Sequence, residues 1–89
     1  MIVKYDTLFI ERFKKLDVRI RKSLKEKIAI FQENPFDPQL NNHPLKDEYV
    51  GYRSIDVTAD YRAIYEEMNE LGEPVAYFVA IGTHPELYD

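Results

Sequence analysis

The chain contains no cysteine. That excludes disulfides, thiolate nucleophiles and the common structural zinc sites, and it fits a reducing compartment. Long hydrophobic runs are missing too. The run Val75 to Ile81 covers seven residues, far short of the ~20 that span a bilayer as a helix. The opening stretch Met1-Ile2-Val3-Lys4-Tyr5-Asp6 has no signal-peptide pattern. A cytoplasmic protein without membrane contact is the expectation. Histidine occurs twice, at His43 and His84. Two histidines so far apart have no recognisable ligand spacing, so neither a metal nor another cofactor is expected. No internal repeat or low-complexity tract is visible.

What is present fits one domain of residues 1–89. A domain of this size buries about 60–65% of the surface its unfolded chain exposes. One modest core and a shallow site are therefore expected. Net charge is −4, but the charges are not mixed evenly. Residues 11–27 carry eight Lys/Arg against three Asp/Glu, and residues 28–89 carry three against twelve. A basic segment is joined to an acidic body. On charge alone, a solvated helix face explains the basic segment better than a nucleic-acid interface does.

Asp6 and Thr7 can cap a helix. Phe9, Phe13 and Leu16 then recur at helical spacing, which predicts a helix over about 7–16. Asp17 caps a second helix with the stripe Ile20, Leu24, Ile28 and Phe31. Asn34-Pro35 stops it. Residues 35–47 hold three prolines and the pair Asn41-Asn42, which is loop chemistry. "YVGYRSIDV", "YRAIYEE" and "VAYFVAI" read as three strands, separated by "TAD" and "MNELGEP". With a short strand at residues 1–5, the order is β-α-α-β-β-β. This is an α+β fold in which a helical hairpin covers one face of a three- to four-stranded antiparallel sheet. Ile55, Val57, Val79 and Ile81 are expected to line the helix side. The other face should stay partly open.

Residues suited to acid–base chemistry gather in the strand region. They are His43 and His84, Arg53 and Arg62, Asp56 and Asp60, and Tyr88. On a phosphodiester, a base would take a proton from a nucleophilic hydroxyl, an acid would protonate the leaving oxygen, and arginine would offset charge on phosphorus. Each also has a plain structural reading. The histidines can serve loops and turns, Arg53 can pair across strands, and Tyr61, Tyr65 and Tyr77 can pack the sheet.

"NNHPL", "GYRSIDVTADYRAIY" and "AIGTHPELY", following a helical hairpin, resemble the RelE/ParE toxin superfamily, and within it the YafQ-type branch. The resemblance covers nearly the whole chain and is most specific over residues 43–88. It implies the toxin of a type II toxin–antitoxin pair. The implied activity is a ribosome-dependent endoribonuclease that cuts mRNA through the ribose 2′-hydroxyl, without a metal. Its partners would be a cognate antitoxin, the ribosome with its mRNA, and operator DNA through the toxin–antitoxin complex. By the same resemblance His84 matches a general acid and His43 a histidine beside the scissile phosphate. Asp60 and Tyr61 match an acid–aromatic pair, Arg62 a phosphate-binding arginine, and Tyr88 a late supporting aromatic. Outside the resemblance, on their chemistry alone, Arg53 and Asp56 are added as substrate-binding candidates. The pattern departs at three positions. Asp56 stands for a histidine, Ala80 for an arginine and Ser54 for an aspartate. A toxin that inhibits DNA gyrase by binding, and a degenerate toxin that only binds its antitoxin, are the alternatives.

Overall fold

The two aspartates ahead of the helices act as expected. The structure, a computed structural model, describes residues 1–88; Asp89 and the side chain of Tyr88 lie outside the described residues. Strand β1 is Ile2–Tyr5, and helix α1 is Thr7–Lys14. The Asp6 carboxylate accepts the Leu8 amide at 3.0 Å, satisfying one of the donors a helix start leaves unpaired. Helix α2, Val18–Glu33, starts the same way, with Asp17 accepting the Arg19 amide at 2.8 Å. It ends where Asn34 turns to extended backbone before Pro35. The first helix is two residues shorter than its apolar pattern predicts, because Leu16 packs from the interhelix connection.

The remaining elements are β2 (His43–Pro44), β3 (Tyr52–Asp56), β4 (Tyr61–Glu70), β5 (Glu73–Thr83) and α3 (His84–Tyr88). The expected α+β architecture stands, and the sheet is extended at both edges to five strands in the order β1-β5-β4-β3-β2. Strands β2 to β5 pair antiparallel, while β1 joins β5 in parallel, Ile2 opposite Val75. The middle strand is β4, and β5 is one step toward the edge. No described helix is long and apolar enough to cross a membrane.

Directly paired residues share a face. The row Pro44, Arg53, Tyr65 and Phe78 faces the helices, as does the row Ile55, Ala63 and Ile81. Phe78 is fully buried at the centre of this side. The rings of Phe9, Phe31 and Tyr65 stand 5.9, 5.4 and 5.1 Å from it. Leu24, Ile28 and Phe31 close the layer from α2. Phe13, Leu16 and Ile20 pack on its rim. Val79 does not join this face. A bulge between Ile64 and Tyr65 pairs Tyr65 with Phe78 and Ile64 with Ala80, leaving Val79 as the extra residue. The bulge switches the alternation, so Ala76 and Phe78 serve the core before it and Ile81 after it.

Candidate functional site on the far face of the sheet

The face turned away from the helix pair carries two adjacent rows. One is His43, Ser54, Ile64 and Ala80; the other is Asp56, Arg62 and Gly82. The face is less open than its sequence suggests. Ser54 and Ile64 are buried on it. Helix α3 turns back at the end of β5, and a Cβ on Gly82 would lie 3.3 Å from the Glu86 Cβ. The Tyr49 hydroxyl, from a 3₁₀ turn between β2 and β3, donates to the Leu87 carbonyl at 2.9 Å. That bond joins the two sides of the sheet across its far face.

His43 lies half-buried on β2. Its Nδ1 is 2.8 Å from the Asn41 carbonyl oxygen, which can only accept, so Nδ1 carries the proton. In the neutral ring Nε2 is then the nitrogen with a lone pair, the form a general base needs. His84 is exposed at the first position of α3. His43 shares a row with Ala80 of β5, three strands or ~14 Å across the sheet, and His84 begins α3 four residues beyond that row, so the two reach the far face from different corners.

Asp56 and Arg62 stand between them. Arg62 Nε lies 3.0 Å from Asp56 Oδ1. Arg62 Nη1 also donates to the carbonyls of Thr58, Ala59 and Tyr61, at 2.8, 3.2 and 3.0 Å. One arginine thus closes the β3–β4 turn. Asp56 Oδ2 also meets the Asn41 amide at 3.5 Å.

The other expected site residues separate from this group. Arg53 lies on the helix side of the sheet, opposite Arg62. There its Nε donates to Asn42 Oδ1 at 2.8 Å, and its guanidinium sits 5.2 Å from the Phe36 ring centre. It cannot hold one phosphate together with Arg62. Tyr61 packs against the core and is not a free stacking surface. Asp60 is exposed in the turn, its amide 3.3 Å from Thr58 Oγ1. Tyr88 belongs to α3 by its backbone, and its side chain lies outside the described residues.

Three residues given no site role from the sequence, Asn41, Asn42 and Glu86, shape the site. Asn41 takes the left-handed conformation (φ 47°), where its carbonyl meets His43 and its side chain meets Asp56. Asn42 donates to the Pro35 carbonyl and to the Tyr65 hydroxyl, both at 2.8 Å. Burial pushes the Tyr65 hydroxyl pKa up, and the Asn42 bond partly opposes this. Glu86 accepts from the Thr83 amide and hydroxyl at 2.8 and 2.9 Å and pairs with Arg12. The spacing Thr83-x-x-Glu86 is a capping-box signature that was legible in the sequence.

Solved toxins share this architecture. YafQ from E. coli strain BL21(DE3) matches with a TM-score of 0.78 and 24% identity, over 98% of this chain and 97% of its own. The YoeB/ParE toxin from Agrobacterium tumefaciens matches at 0.76 and 21%, over 94% and 99%. A chain of the RelBE2 toxin–antitoxin complex from Mycobacterium tuberculosis matches at 0.73 and 19%, over 93% and 96%. Among curated proteins none matches by sequence. Identities this low speak for the fold, which is that of the small α+β toxins of the RelE/ParE superfamily. Membership comes from the sequence itself. The model of the ParE toxin of type II toxin–antitoxin systems, parDE, matches residues 3–88. The chain belongs to that toxin family.

Proposed function

We propose that this toxin is an endoribonuclease that cuts mRNA on the ribosome, with His43 as base and His84 as acid. The observation that carries the reading is the His43–Asn41 hydrogen bond, which leaves Nε2 as the basic nitrogen on the same face as the Asp56–Arg62 row. His43 would take the proton of a ribose 2′-hydroxyl. The 2′-oxygen attacks phosphorus, the bond to the 5′-oxygen breaks, and His84 gives that oxygen a proton. The nucleophile belongs to the substrate, so the step needs no metal. Arg62 supplies a fixed positive charge, partly offset by Asp56, and the basic surface of α1 and α2 would meet ribosomal RNA.

The antitoxin is the second partner. An open groove of about 470 Å³ between α1 and α2 is lined by Tyr5, Phe9, Ile10, Phe13, Leu24 and Ile28. It suits an apolar helix or strand of the antitoxin. Co-expression with the neighbouring gene product should give a complex that co-purifies, and Ile10→Glu should weaken it.

A toxin that acts on gyrase by binding is favoured by one observation. Arg62 is already committed to Asp56 and three carbonyls. Primer extension on mRNA from expressing cells decides. Cleavage in wild type that falls ~10²–10⁴-fold in His84→Ala supports the nuclease. Equal cleavage removes His84 from the mechanism. Growth arrest without cleavage supports the gyrase reading.

A further inference from the structure

His84 sits on a five-residue helix, too short to hold itself in water. Contacts from outside α3 help to fix it: the Tyr49 hydroxyl holds the Leu87 carbonyl at its end, and a second set holds its first turn. Thr83 occupies the cap position and Glu86 the third helical position. The Glu86 carboxylate reaches back to both the amide and the hydroxyl of Thr83. That bond pair closes the first turn, and His84 lies inside it. Arg12 of α1 then grips the same carboxylate from outside the sheet. Gly82 makes room for the junction, since a Cβ there would lie 3.3 Å from Arg12 Nη2 and from both Glu86 Cβ and Oε1.

We infer that Arg12 and Glu86 are positioning residues for His84, tying the terminal turn to the first helix so that the imidazole is held over the far face. The inference rests on the endoribonuclease reading for its chemistry, and on the contacts alone for its geometry. Neither residue need touch RNA. Their effect runs through the orientation of the acid, and a misplacement of about 1 Å can reduce a rate ~10²-fold. The depressed carboxyl pKa of Glu86 agrees with the contacts. The Thr83 amide and hydroxyl are the main causes, and Arg12 adds to them.

The test compares Arg12→Met, Glu86→Gln and Gly82→Ala with Arg12→Lys. Lys4→Met, which breaks the remote Lys4–Glu70 pair, is the control. Cleavage of mRNA on purified ribosomes gives kcat and KM, and NMR relaxation of the His84 ring gives a reading of its order that needs no activity. The first three variants should lose about 10- to 100-fold in kcat with KM unchanged. Arg12→Lys should recover most of the loss, and Lys4→Met should match wild type. The order of the ring should fall in the same three variants. If wild type cleaves and these variants cleave equally well, the inference is overturned. If wild type does not cleave, the nuclease reading falls, and the ring order decides the positioning. A ring that loses order in all three variants upholds it, and a ring as ordered as in wild type overturns it. Gly82→Ala disturbs the junction without removing either charge, so it tests the geometry even if a charge variant folds poorly.

Discussion

The two faces of the sheet are fixed by different forces. On the helix side, Ile55, Ala63, Tyr65, Phe78 and Ile81 meet Phe9, Leu24, Ile28 and Phe31 in a layer with little freedom. Area removed from water does the holding there. On the far side the central residues are held by directed contacts. These are the Arg62 collar on the β3–β4 turn, the Asn41 contacts to His43 and Asp56, and the Glu86 capping box. Apolar packing tolerates a change of one residue for another of similar volume. A directed contact fails when a single atom is lost. The far face is therefore the side on which small substitutions should alter position without unfolding the chain.

The largest effect should come from the helix side. Phe31 is fully buried, edge-on to Tyr65 and Phe78. Phe31→Ala should destabilise the fold by about 3–5 kcal/mol, read as a lower urea midpoint. An unchanged midpoint would contradict the packing described. On the far face, Arg62→Ala takes the side-chain donor from the Thr58 and Ala59 carbonyls and the ion pair from Asp56, and it should cost about 1–3 kcal/mol. Were Arg62 purely a substrate residue, stability would not move. Asn42→Ala sits at the border between the faces and should cost about 1–2 kcal/mol. It takes the acceptor from Arg53 Nε and a donor from the Tyr65 hydroxyl. A double-mutant cycle with Arg53→Ala should show the two losses to be non-additive.

The smallest effect concerns pH. The Glu86 carboxyl is held below its usual range by the Thr83 amide and hydroxyl, with Arg12 adding to them. A depressed carboxyl contributes fully above its unfolded value. The contribution fades as the pH falls through the folded value. Protection of the Thr83 amide against hydrogen exchange should thus hold from neutrality down to the ordinary glutamate range and drop in stronger acid. Protection that stays level into strong acid would show that Glu86 does not hold the turn.

The helix side was legible because its code is periodic. Ile20, Leu24, Ile28 and Phe31 mark a face by spacing alone, and Asp6 and Asp17 mark where the helices begin. The bulge at Val79 was not legible, since an apolar residue in an apolar run carries no sign of being the extra one. The parallel partner of β1 was equally hidden, because four residues of strand do not name their neighbour. Arg53 was a different matter. Its alternation with Ile55 and Val57 already put it on the helix side, and its chemistry drew attention away from that. The roles of Asn41, Asn42 and Arg62 depend on which carbonyls a loop brings near, and no local pattern encodes that.

The pairing of β1 with β5 sets a timetable for the toxin's synthesis. Ile2 to Tyr5 hydrogen-bond along Val75 to Phe78, and Phe78 is also the ring around which Phe9, Phe31 and Tyr65 gather. Neither the first strand nor the aromatic centre can close before residue 78 has been made. At ~5–20 residues per second, the early strand waits roughly 4–15 s for its partner. Contacts this distant in sequence also slow the closing step itself. A toxin wired this way cannot act while it is still being translated.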